Sequence, residues 1–192
     1  VDSCTDTFLL DTEDLKKKIT KKTKVVIAAN LYGNSCNLKE IQNICKENGI
    51  YLIEDNAESL GTTFENKLLG NFGDISCFSF YGNKTITTGE GGMVCTNNFE
   101  IAEKIKLFKE QGFVKNAKEY YTHSVVGYNY RMTNVAAAIG FAQLESINEI
   151  IDKKRIIAKN YIDQLSSIHE LTFQHVTPCL LYTSDAADEE DS

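Results

Sequence analysis

The chain reads as an α/β fold, a mainly parallel sheet flanked by helices, and three features of its 192 residues point there. Lys24-Val25-Val26-Ile27-Ala28-Ala29 is an apolar run rich in β-branched residues, Ile50 to Ile53 is a second, and a segment with helical spacing separates them. Strand, helix and strand within about thirty residues make a βαβ unit, whose strands run parallel. Apolar residues form 42% of the chain, enough for one sizeable core, and the length is short of two full domains.

Each element follows from local chemistry. Thr12 to Ile19 predicts a helix, capped by Asp11 or Thr12, that lays Leu15 and Ile19 on a surface. The run beginning at Lys24 suits a strand buried on both faces. Asn37 can cap a helix in which Leu38, Ile41, Ile44 and Cys45 share a face, and Asn48-Gly49 supplies its stop. Ile50 to Ile53 is the next strand, which sets Asp55 just past its carboxyl end, where open α/β sheets place ligands. Ser76 to Phe80 and Gly92 to Thr96 predict two more strands, joined by a turn-rich segment that carries Lys84. Phe99 to Glu110 has helical spacing, Gly112 to Ser124 reads as an exposed irregular loop, and one long helical pattern runs from Asn134 to about Leu165. The small residues Ala136, Ala137, Ala138, Gly140 and Ala142 permit close approach, in a core or across a subunit interface.

Charge and cysteine usage exclude several classes. The formal charge of -7 owes much to Asp185, Asp188, Glu189, Glu190 and Asp191; the rest is close to neutral, with no basic face for nucleic acid or an anionic membrane. Six cysteines are widely spaced, without a C-x-x-C pair, and only three histidines are present. They read as reduced core thiols, with no metal site expected. No apolar run is long enough to span a bilayer and no leader pattern opens the chain, so a cytoplasmic protein is expected. Cys179 to Asp188 resembles translated sequencing-adapter DNA, and residues 179–192 are set aside as an adapter-derived, non-native tail beyond Pro178.

Three side chains could together serve an aldehyde cofactor, pyridoxal 5′-phosphate (PLP). Asp55 could hold a pyridine nitrogen, Lys84 could bond the aldehyde and carry protons, and Ser79 could donate to the phosphate. Each has a plainer alternative. An Asp at a strand end often closes a turn, a Lys in a polar loop is usually solvated, and Gly89-Glu90-Gly91-Gly92 suits a hairpin as well as a phosphate. No G-x-G-x-x-G turn supports a dinucleotide site.

Five segments, taken in order, carry a family likeness. Glu54-Asp55-Asn56-Ala57-Glu58-Ser59-Leu60-Gly61, Gly70-Asn71-Phe72-Gly73-Asp74, Phe78-Ser79-Phe80-Tyr81-Gly82-Asn83-Lys84, Thr87-Thr88-Gly89-Glu90-Gly91-Gly92 and Gly127-Tyr128-Asn129-Tyr130-Arg131-Met132-Thr133-Asn134 together resemble the DegT/DnrJ/EryC1/StrS family of nucleotide-sugar aminotransferases. The resemblance implies a type I (aspartate aminotransferase-like) PLP fold, a homodimer, and amino transfer from L-glutamate to a keto-sugar nucleotide. It implies that Asp55 meets the pyridine nitrogen, Ser79 the phosphate, Lys84 the aldehyde, and Asn129 the phosphate in the other subunit. Glu58 would lie near the ring hydroxyl, where many members have Gln or His; beside a phenolate oxygen it should carry a proton or turn away. The wording around Lys84 is most similar to perosamine-synthase-type members, which aminate a 4-keto-6-deoxy nucleotide sugar. Related 3-dehydratases have His at that position, so Lys84 favours amine transfer. A non-catalytic or regulatory member of the fold is the alternative.

By the same resemblance, residues 1–168 would be part of the PLP-binding large domain and 169–178 the start of a smaller domain, with family members extending beyond both ends. The polypeptide alone is then expected to be a poor catalyst with apolar sheet and helix faces in water.

Overall fold

The computed structural model describes residues 1–114 and 121–175. Its elements in chain order are α1 (Thr12–Lys18), β1 (Val25–Ala29), a 3-10 turn (Leu31–Gly33), α2 (Leu38–Asn48), β2 (Tyr51–Asp55), β3 (Thr63–Phe64), β4 (Lys67–Leu68), β5 (Ile75–Ser79), β6 (Gly92–Cys95), α3 (Phe99–Lys109), α4 (Asn134–Leu144) and α5 (Ile147–Leu165). β1, β2, β5 and β6 form one sheet in that order, while β3 and β4 make a small hairpin. The β1–β2 and β2–β5 pairs are parallel and β5–β6 is antiparallel, so the sheet is mainly parallel.

The helix caps explain where the first helices start. The Asp11 carboxylate accepts from the Glu13 and Asp14 N–H groups at 2.8 and 3.1 Å, and lysines fill the last turn of α1, where they oppose its dipole. The Asn37 side chain accepts from Glu40 N–H at 3.3 Å, and Gly49 ends α2 at φ +63°, a conformation that costs glycine nothing. Leu38, Ile41, Ile44 and Cys45 of α2 are buried with Val26, Ala28 and Leu52 of the sheet, and Leu9, Leu15, Phe64 and Leu69 complete the core. Fully burying one such aliphatic side chain stabilises by about 1.5–3 kcal/mol.

Two expectations need correction. β1 is buried on one face only: Val26 and Ala28 lie in the core, whereas Val25 is exposed and Ile27 is 61% exposed. The cause is visible in the layers, because α1 and α2 cover one side of the sheet, and Tyr51 and Val94, which share the face of Val25 and Ile27, are exposed as well. The long helical pattern divides into α4 and α5 at Glu145 and Ser146; periodicity there is continuous, but Ser146 takes φ -106° and ψ 20° and interrupts the helical backbone. The small residues of α4 serve one close approach. A Cβ on Gly140 would lie 2.8 Å from Thr88 Cγ2, and Gly140 is buried there.

The described ends of the loop from Gly112 to Ser124 are joined by an isolated antiparallel bridge between Phe113 and His123 and a Val114 N–H to Thr122 carbonyl bond of 3.0 Å. Its central residues 115–120, the 179–192 tail and Cys179 lie outside the described residues. Cys36 and Cys45 are buried, and Cys4, Cys77 and Cys95 are half-buried free thiols. Among the described residues no helix is long and apolar enough to cross a membrane, and no group of three or more His, Cys, Asp and Glu side chains is placed to hold a metal.

Candidate active site

The site begins at the carboxyl end of β2. Asp55 closes that strand, opposite Ala29 of β1 and Cys77 of β5, and its carbonyl accepts from Asn30 N–H at 2.9 Å. One carboxylate oxygen, Oδ1, accepts from Ala57 N–H at 3.1 Å, the turn role open to any Asp at a strand end. Oδ2 has no hydrogen-bond partner among the described residues. Burial first, with the charge of Asp55 adding to it, pushes the neighbouring Cys77 thiol up from its ordinary value.

Strand alternation sends the two residues beside Asp55 into the core. Glu54 is fully buried and accepts three backbone N–H bonds, from Gly70 (2.7 Å), Phe72 (2.7 Å) and Gly73 (2.6 Å). Those bonds hold the loop that leads into β5. Gly73 is required for the approach, since a Cβ there would lie 2.8 Å from the Leu52 carbonyl. Asn56, also fully buried, accepts from Asn30 Nδ2 at 2.7 Å and Ser59 Oγ at 3.2 Å, while its N–H donates to the Cys77 carbonyl at 2.8 Å. Asp55 is therefore held between two anchored neighbours. Sequence reasoning assigned neither anchor, although a Glu sharing the face of Leu52 in a core strand was the signal available.

Ser79 ends β5 and pairs with Gly92 of β6. Its Oγ accepts from Tyr81 N–H at 3.3 Å, which leaves the hydroxyl hydrogen available to donate. The chain then turns, with Lys84 N–H bonded to the Tyr81 carbonyl and Thr88 N–H to the Phe80 carbonyl. Gly91, at φ +148°, and Gly92 serve the return: a Cβ on Gly92 would come within 2.7 Å of the Phe78 carbonyl. The glycines thus have the plain turn role. Behind the loop, α4 grips Thr87 from both sides, Gln143 Oε1 accepting its N–H at 3.1 Å and Nε2 donating to its carbonyl at 2.7 Å.

Lys84 is withdrawn from solvent, its side chain 18% exposed, with Nζ 3.4 Å from Glu58 Oε1. The solvated-lysine alternative is not what the geometry shows. Glu58 Oε2 accepts from Tyr32 N–H at 3.0 Å, in the 3-10 turn where Tyr32 takes φ +57°. Both oxygens of Glu58 are thereby engaged. Lys84 and Glu58 line a half-open cavity of about 540 Å³, bordered also by Tyr32, Gly61 and Thr62 and by the Ile151 to Ala158 face of α5. α5 comes close at Gly61, where a Cβ would collide with Ile151 Cδ1.

Asn129 stands apart from these four. It pairs with Glu110 in an isolated antiparallel bridge, is exposed, and its Oδ1 accepts from Arg131 Nε at 3.4 Å. Its neighbours in sequence, Tyr128 and Tyr130, stack on each other, ring centres 5.1 Å apart. No hydrogen bond among the described residues joins it to Asp55, Glu58, Ser79 or Lys84.

Known proteins resemble this chain in sequence and in fold. Residues 1–181 match the model of the DegT/DnrJ/EryC1/StrS aminotransferase family. A GDP-perosamine synthase of Vibrio cholerae is 50% identical over 163 residues, which are 85% of this chain and 44% of that protein. One from Escherichia coli O157:H7 is 46% identical over 168 residues, 88% of this chain and 46% of that protein. The solved structure of E. coli GDP-4-keto-6-deoxy-D-mannose-3-dehydratase with bound hydrated PLP superposes with a TM-score of 0.84 at 33% identity, covering 92% of this chain and 49% of that one. The chain spans about half the length of the curated relatives it matches. With its mainly parallel α/β sheet and the ordered run of motifs from Glu54 to Asn134, the chain belongs to the DegT/DnrJ/EryC1/StrS aminotransferase family.

Proposed function

We propose that the protein is a PLP-dependent aminotransferase that moves the amino group of L-glutamate onto a 4-keto-6-deoxy nucleotide sugar of the perosamine type, acting as a homodimer. The observation that carries the reading is the withdrawn Lys84 beside Glu58, in a chain 50% identical to a GDP-perosamine synthase. The residues fit the cofactor. Asp55 has an uncommitted carboxylate oxygen, Ser79 an uncommitted hydroxyl hydrogen, and both stand at the carboxyl ends of adjacent parallel strands.

When bound, PLP supplies an aldehyde for the amino group and a protonated ring that draws electrons from the substrate carbon. Asp55 would keep the ring nitrogen protonated, and Ser79 would donate to the phosphate. Lys84 would hold the aldehyde in the resting enzyme and, once released, move a proton to and from the substrate carbon. Glu58, which carries the Lys84 ammonium at 3.4 Å, would steady that amine between its two tasks. Asn129 would complete the phosphate site of the other subunit, consistent with its exposed place away from Lys84. A lysine rather than a histidine at position 84 supports amine transfer over dehydration.

The test uses the full-length protein supplied with PLP. Adding L-glutamate should shift the cofactor absorbance band, and GDP-4-keto-6-deoxymannose should then yield an amino sugar with 2-oxoglutarate released in equal amount. A protein that neither binds PLP nor forms 2-oxoglutarate would overturn the reading.

A further inference from the structure

α5 meets the cavity with Ile151, Lys154, Arg155 and Ala158, the three- and four-residue steps of a single helical face. A helix laid against a protein ordinarily turns its apolar stripe inward. α5 follows that rule in part, since Ile151 and Ala158 are half-buried against the cavity, but the half-buried Arg155 and the exposed Lys154 lie between them on the same face.

Charge within the cavity is out of balance. Glu58 is the carboxylate that lines it, and both its oxygens are engaged, by Lys84 Nζ and Tyr32 N–H. Arg155 has Asp152 at 3.3 Å, whereas Lys154 makes no ion pair among the described residues. Thr62, Thr63 and Thr85 add hydroxyls to the wall. Positive charge in a partly enclosed, hydroxyl-lined space favours an anion. Adjacent Lys and Arg, a point charge beside a planar fork, suit oxygens on neighbouring phosphorus atoms, and about 540 Å³ is room for more than a simple ion.

We propose that Lys154 and Arg155 hold the diphosphate of the nucleotide-sugar acceptor, with the cavity directing its sugar toward Lys84. This rests on the reading of the acceptor as a nucleotide sugar and adds the residues that recognise it. The same cations could instead meet the carboxylates of the amino donor, so the experiment separates the two sources.

GDP is the probe, titrated calorimetrically into the full-length PLP-loaded protein. Lys154→Ala should weaken GDP binding by about tenfold, the loss of one charge-assisted contact. Lys154→Ala with Arg155→Ala should weaken it further, and Lys154→Arg should restore most of it. GDP affinity in the double variant within about twofold of the unsubstituted protein would overturn the proposal, as would a weakened response to glutamate with GDP binding intact. Loss of GDP affinity in a protein that shows no glutamate-dependent spectral change would sink the proposed activity and still support the subsite. A normal glutamate response with unchanged GDP affinity would do the opposite.

Discussion

Glu58 links Lys84 to Tyr32: one carboxylate oxygen lies 3.4 Å from the Lys84 ammonium and the other accepts the Tyr32 N–H at 3.0 Å. Two segments remote in sequence, the turn after β1 and the loop after β5, thus meet at one side chain. The ion pair itself is worth little, about 0–1 kcal/mol for a pair in which Glu58 is a third exposed. The backbone bond does more, because Tyr32 sits at φ +57° and needs its N–H held.

The two roles separate on substitution. Glu58→Gln keeps an acceptor for Tyr32 and should leave the turn in place, whereas Glu58→Ala should speed amide exchange at Tyr32 by about tenfold. Equal exchange rates in the two variants would show that the carboxamide, too, loses the turn.

Glu54 should be the costliest polar residue to alter near the site. Glu54→Gln puts an amide donor among three backbone donors in a fully buried position, and should lower stability by about 2–4 kcal/mol in urea unfolding. Because the loop it holds leads into β5 and Ser79, PLP affinity should fall with it. A loss under about 0.5 kcal/mol would mean that water readily replaces the carboxylate.

Alkaline pH should find the buried thiols. Burial pushes Cys36 and Cys45 up to about 11 from an ordinary 9.0, and the Cys36 thiol also donates to the Ala29 carbonyl at 3.3 Å. A thiol raised in the folded state contributes its full stability below 9.0, and that contribution is lost as pH climbs from there through about 11. Stability should therefore decline over that window, less steeply in a Cys36→Ser, Cys45→Ala variant. At pH near 8 neither thiol should react with a disulfide reagent until the protein unfolds.

Much of the frame was legible because it rests on local rules. Asp11, Asn37 and Gly49 mark helix ends by chemistry confined to a few residues, and the apolar steps of α2 declare its buried face. The positions of Asp55 and Ser79 at the carboxyl ends of strands were legible from the apolar runs that lead into them. What escaped notice is non-local. The Glu54 bonds span 16 to 19 residues, Glu58 reaches Tyr32 only because that residue adopts a left-handed backbone, and Gln143 clasps Thr87 from 56 residues away. Nor does an apolar run state whether both of its faces are covered: Ile27 has the apolar character of a core residue and is exposed.

Action of Asn129 across a subunit boundary can be checked by complementation. Lys84→Ala and Asn129→Ala proteins should each be nearly inactive, and mixing them under conditions that exchange subunits should restore roughly a quarter of full activity, from the one intact site of each mixed dimer. No recovery, with exchange verified, would place Asn129 in the site of its own chain.

The role of Lys84 is tested most directly by reducing the PLP-loaded full-length protein with borohydride and mapping the pyridoxyl label by peptide mass. The label is expected on the peptide carrying Lys84, and to vanish in Lys84→Ala. A label on another lysine, or none on a protein that binds PLP, would contradict the assignment.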